Sequence, residues 1–197
     1  MNEGAAERPP RLRLFVALPL PEPAETSLLE AQAVLRRKAQ RSELEPRWIA
    51  RDGLHLTLKF LGYVEPERVV ELDAAIAAEA RASQAIATSF AGLGAFASPA
   101  RARVVVAHLS DARAELLALF SRLEASLESL GFPLEERAFK PHVTLARIKT
   151  PGDVRSWLSA AKVGETAFTL RAVRLYRSTL KPTGAEYHVV SETPLGG

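Results

Sequence analysis

Two stretches of this chain alternate apolar and polar side chains in the same order. Residues 54–62 read LHLTLKFLG and residues 139–147 read FKPHVTLAR. In an extended strand successive side chains point to opposite faces. His55 and Thr57 therefore share one face, as do His142 and Thr144, while the leucines and valine between them form a buried face. Around these strands the periodicity lays out further elements. Residues 11–18 predict a strand, and the prolines after it lead into a helix over about 22–41, with Leu28, Leu29, Ala31, Leu35 and Ala39 at roughly helical spacing. Trp48 and Ile49 precede the first patterned strand. Pro66 opens a second helix through Val69, Val70, Leu72, Ile76 and Ala80, and a strand around 88–93 comes after it.

The second half replays this order. Residues 103–109 predict a strand, and Asp111 caps a helix to about Leu130, where Gly131 stops it. The second patterned strand comes next, then a short helix near 153–161 and a strand over about 167–175. Final strands near 176–180 and 187–191 are joined by a Lys181-Pro182-Thr183-Gly184 turn. The repetition predicts an internal duplication, about 11–95 and 101–191, that sets the two motifs at matching positions about a pseudo-two-fold axis. The expected fold is α+β: one bilobal domain over 11–191, each lobe a mostly antiparallel sheet packed with helices, with the motifs lining the cleft between lobes. Residues 1–10 and 192–197 read as flexible termini.

Composition narrows the function. A chain of 197 residues with 47% hydrophobic content can bury a real core. The absence of cysteine excludes a disulfide scaffold, a thiolate metal site and a cysteine nucleophile. A formal charge of +3 and a pI near 9.4 suit a polyanionic partner without indicating a nucleic-acid-coating protein. Arg8, Arg11 and Arg13 precede a short apolar run, but Pro19, Pro21 and Pro23 interrupt the residues after it, so no signal peptide is read there. No stretch is long enough to span a membrane. A cytoplasmic protein is the expectation.

Two imidazoles beside two hydroxyls are suited to acid/base work on a phosphate. Hydrolysing a phosphodiester needs a base for the attacking water and an acid for the departing oxygen. Histidine titrates near neutrality and serves as either. Thr57 and Thr144 are the candidates to hydrogen-bond the non-bridging phosphate oxygens. The residues alone leave open which histidine is acid and which base. No metal or cofactor is expected: neither motif contains a carboxylate or a second histidine, as zinc would require, and no Gly-x-Ser-x-Gly elbow is present. His108 and His188 read as packed or solvated. Lys59 shares the parity of His55, Lys140 shares that of His142, and Arg147 falls on the opposite parity unless its strand bulges; all three are candidate RNA contacts. Trp48, Phe139 and Tyr176 are candidate base-stacking residues. Phe60 has the parity of the buried leucines, and Arg36, Arg37 and Arg41 form the wet face of a helix.

With residues 13–18 (RLFVAL), 55–62 (HLTLKFLG), 140–147 (KPHVTLAR) and 175–178 (LYRS) plus Tyr187, the chain resembles the two-histidine (2H) phosphoesterase superfamily over about residues 11–191. Within it the chain looks like the RNA 2′,3′-cyclic phosphodiesterases, long named 2′-5′ RNA ligases. One departure is Gly53, where family members often carry Asn. The resemblance implies a bilobal LigT-like fold, His55 as proton donor and His142 as proton acceptor. It also implies a monomer that acts on RNA with a 2′,3′-cyclic phosphate end and leaves a 2′-phosphate. The alternatives are an RNA-end binding module without catalysis, a phosphodiesterase of small cyclic nucleotides or ADP-ribose cyclic phosphate, and the reverse reaction joining RNA in a 2′-5′ linkage.

Overall fold

A computed structural model describes residues 10–110, 113–164, 167–181 and 184–196. The expectations placed on residues 1–9, on Asp111 as a cap, on the Pro182-Thr183 turn and on Gly197 lie outside the described residues. The elements run β1 (Leu12–Pro19), α1 (Glu22–Ala39), β2 (Pro46–Trp48), β3 (His55–Val64), α2 (Val69–Arg81), β4 (Ile86–Thr88) and β5 (Phe90–Phe96). They continue with β6 (Ala102–Leu109), α3 (Arg113–Ser129), β7 (His142–Gly152), α4 (Arg155–Leu158), β8 (Phe168–Leu170), β9 (Ala172–Lys181) and β10 (Gly184–Pro194). The fold is α+β, and every pairing between these strands is antiparallel.

Three local readings are corrected. Residues 176–180 are the second half of a continuous β9, not a separate strand. Residues 192–196 are not a loose tail. Residues 192–194 complete β10, and after them Leu195 is buried and its N donates to Arg171 O at 2.8 Å. Pro66 opens a short 3-10 turn, and α2 begins only at Val69. At the end of α3 the expected stop holds: Gly131, at φ 85°, lets Phe132 N return to Leu127 O.

The large sheet runs β10-β9-β1-β3-β7-β6-β5. Its two halves are not built from one sequence half each. β5 leaves the first half of the chain to pair with β6, while β9 leaves the second half to pair with β1. The halves meet at a single residue pair, Leu56 with Val143. Beyond it β3 and β7 part, and β2 takes the place beside β7, pairing Trp48 with Ala146. The cleft is this parting of two strands. Gln32 of α1, fully buried, braces it: its amide donates to Ile49 O at 2.9 Å and Leu145 O at 2.8 Å. Under the sheet a core of aliphatic side chains runs from Leu14 and Leu56 to Val143 and Leu175. No helix of the described residues is long and apolar enough to cross a membrane.

Candidate active site

The antiparallel pair Leu56–Val143 fixes the arrangement of the motifs. Continued one residue each way, that register sets His55 opposite Thr144 and Thr57 opposite His142. The imidazoles then occupy diagonal positions, about 7–8 Å apart at the backbone in ordinary sheet geometry. On that continuation each histidine would face the other strand's hydroxyl. A cavity of about 560 Å³ opens here, with His55, Thr57, Thr144, Arg147 and Trp48 in its wall. His142 is not in that wall. It is half-buried, its ring meeting Phe96 edge-on with centroids 4.9 Å apart.

Both motif strands carry a β-bulge directly after the threonine. On β3 the register with β1 slips between Thr57 and Lys59, and on β7 the register with β6 slips between Thr144 and Ala146. A bulge inserts a residue and reverses the parity beyond it. Lys59 is therefore turned into the core, where it is 6% exposed. Its ammonium donates to Glu124 at 2.6 Å and to Pro133 O at 2.7 Å, so it makes no RNA contact. Phe60, expected in the core, is 58% exposed and lines the cavity. On β7 the same slip brings Arg147 onto the cavity face. Three further expectations move away from the cavity wall. Lys140 is exposed and outside it, Phe139 stacks on Phe120 at 4.4 Å, and Tyr176 is buried behind His55. His188 is exposed, as expected, whereas His108 sits beside His142 as its cross-strand partner.

The two histidines have different surroundings. His55 is enclosed by Phe15, Tyr176 and Tyr187, with ring centroids 4.9, 5.6 and 5.2 Å away. Its Nδ1 is buried and has no hydrogen-bond partner among the described residues. Burial first, and then the nearby Arg147 charge, push its pKa down to about 4. His142 Nδ1 lies 2.7 Å from Lys140 O. A carbonyl only accepts, so Nδ1 carries the proton and the neutral ring keeps its lone pair on Nε2. Burial lowers the His142 pKa, the bond to Lys140 O opposes that, and Arg147 adds to the lowering. Arg147 thus acts on both imidazoles. Burial, His142 and Lys140 lower His108 as well.

Other cavity residues carry weaker sequence signals. Arg13, Phe15, Arg47 and Tyr187 line it, with Arg13 donating to Ser178 Oγ at 2.9 Å. Strand alternation gives Arg13, Phe15 and Ala17 of β1 a common face, a signal that could have found the first two, which the sequence reading did not single out as site residues. A side chain at Gly53 would crowd its neighbours: a Cβ there would meet Ile49 Cγ2 at 2.8 Å and the Tyr187 ring at 3.3 Å. Among the described residues no three His, Asp or Glu side chains gather as a metal site would require.

The profile of the 2′-5′ RNA ligase superfamily matches residues 9–181. The chain belongs to that superfamily. Its members include the LigT-like 2H phosphoesterases. A relative from Geobacillus stearothermophilus named RNA 2′,3′-cyclic phosphodiesterase is 31% identical over 95% of this chain, which spans only 58% of that longer protein. A Thermus thermophilus protein of the same name is 34% identical, over 94% of this chain and 91% of its own length. The crystal structure of TT0787 from Thermus thermophilus superposes with a TM-score of 0.81 at 30% identity, covering 94% of this chain and 99% of the other.

Proposed function

We propose that this member of the superfamily hydrolyses the 2′,3′-cyclic phosphate at RNA ends to a 2′-phosphomonoester. The observation that supports this reading is the antiparallel pair Leu56–Val143, whose continuation would set each imidazole opposite the other strand's threonine, with His55, Thr57 and Thr144 in the wall of one cavity. His142, with Nδ1–H held by Lys140 O, presents Nε2 as the base. It takes a proton from water as the water oxygen bonds to phosphorus. The P–O3′ bond breaks in line, and His55 gives its proton to the departing 3′ oxygen. Solvent then resets both rings. Thr57, Thr144 and Arg147 would hold the non-bridging oxygens as charge gathers there. No metal enters this scheme. Phe60 and Tyr187 at the wall, and Trp48 across it, are suited to stack the nucleoside.

A pKa near 4 leaves His55 neutral in the free protein at pH 7. The acid form would then arise with the substrate: a phosphodiester anion beside the ring favours its protonation. We further infer that the chain is an internal duplication over 11–191, exchanging β5 and β9 between its halves, and that it acts as a cytoplasmic monomer.

The test is incubation with end-labelled RNA bearing a 2′,3′-cyclic phosphate, EDTA present, and identification of the terminal phosphate. A 2′-phosphate product supports the reading. No hydrolysis would leave an RNA-end binding module in its place, and activity only on mononucleotides would move the substrate to small cyclic nucleotides.

A further inference from the structure

Beside the first cavity lies a second, of about 320 Å³, whose wall includes Arg36, Gln40, Ser42, Leu44, Pro46 and Trp48. Trp48 belongs to both walls. Its indole packs on Trp157, centroids 6.3 Å apart, and Trp157 is itself fully buried, so the indole rests on a fixed floor. The Arg36 guanidinium lies over the Trp48 ring, with Cζ 5.1 Å from the centroid. Such a stack holds a planar cation flat at low entropic cost. Bases stack on guanidinium planes and aromatic rings alike. Gln40 adds both donor and acceptor atoms. Ser42 Oγ donates to Ala39 O at 2.8 Å and accepts from Leu44 N at 3.4 Å, which leaves one lone pair for another donor. The end of α1 is cationic as well: Arg36, Arg37, Lys38 and Arg41 outnumber Glu43 and Glu45.

We propose that this second cavity is a base-binding subsite for the nucleotide next to the cyclic end, with Arg36 and Trp48 as its platform and Gln40 and Ser42 reading the base edge. The inference rests on the function proposed for the first cavity. It makes the preferred substrate a single-stranded end of at least two nucleotides, held on both sides of Trp48.

The experiment compares kcat/KM for a 2′,3′-cyclic mononucleotide and a cyclic-ended dinucleotide on the parent protein and on Arg36→Ala. The parent should favour the dinucleotide by about tenfold or more, the worth of one stacked base. Arg36→Ala should lose most of that preference and keep its rate on the mononucleotide. Equal rates on the two substrates in the parent, or an undiminished preference in Arg36→Ala, would overturn the proposal. If neither substrate is hydrolysed, the reading of the first cavity fails and affinity judges the second. Trp48 is the more exposed of the two tryptophans, so fluorescence quenching by 3′-phosphorylated mono- and dinucleotides reports binding. Tighter dinucleotide binding that Arg36→Ala removes supports the subsite, and equal affinities reject it.

Discussion

His55 and His142 carry one motif into two environments, and the roles proposed for them follow that difference. An imidazole boxed by three aromatic rings, with Nδ1 unpartnered among the described residues, gains nothing from being charged until an anion arrives. An imidazole oriented by a backbone carbonyl is already the right tautomer for a base. We expect the ring-proton NMR titration of His55 in the free protein to show a pKa near 4 and to move upward when a 2′-phosphorylated nucleotide binds. A free-protein value at or above 6.5 would rule out substrate-assisted protonation. Arg147→Met should raise the pKa of both histidines, because its charge lowers both. A shift in His55 alone would place Arg147 away from His142.

At the scale of elements, the most consequential feature is the pair of bulges after Thr57 and Thr144. The alternation of apolar and polar residues was enough to identify both strands, their buried face and the four motif residues. It could not show the bulges, since an inserted residue leaves no mark on composition. So Lys59 and Phe60 exchanged places relative to simple parity, and Arg147 reached the cavity that strict alternation denied it. The exchange of β5 and β9 between sheet halves was equally illegible, because it depends on long-range pairing rather than local pattern. Lys59 in turn acquires a structural role. Its bonds to Glu124 and Pro133 O, together with Glu135 N donating to Glu124 at 2.7 Å, tie the bulge of β3 to the segment that leads into β7. Lys59→Met strands a buried carboxylate and should lower stability by about 3–5 kcal/mol in urea unfolding. Adding Glu124→Leu should recover most of it. A loss under about 1 kcal/mol in the single variant would show that the pair is not what anchors this segment.

For the whole molecule, the lowered histidine pKa values link stability to pH. The folded pKa of His55 lies near 4 against 6.5 for the unfolded chain. Between those values the unfolded state binds the proton and the folded state does not. Stability is therefore complete above about pH 6.5 and falls as pH drops toward 4, by up to about 3 kcal/mol from this group. His142 and His108 act in the same direction. Urea unfolding at about pH 7 and about pH 4.5 should show the fall, and His55→Asn should reduce it; an identical pH slope in that variant would place the linkage elsewhere. The lowered His55 value keeps that ring neutral near pH 7 in the free protein, so the same burial that links stability to pH underlies the substrate-assisted protonation proposed for it.

Everything proposed for the cleft depends on two imidazoles, brought beside one cavity by the Leu56–Val143 register, acting as a concerted acid and base. The most direct test is the single-turnover rate of His142→Ala on RNA with a 2′,3′-cyclic phosphate end, measured at saturating protein. The rate should fall by about 10²–10⁴-fold, the usual worth of general acid–base catalysis, because the attacking water has lost its base while Thr57, Thr144 and Arg147 still hold the phosphate. A His142→Ala protein that opens the cyclic end at near the parent rate would contradict it.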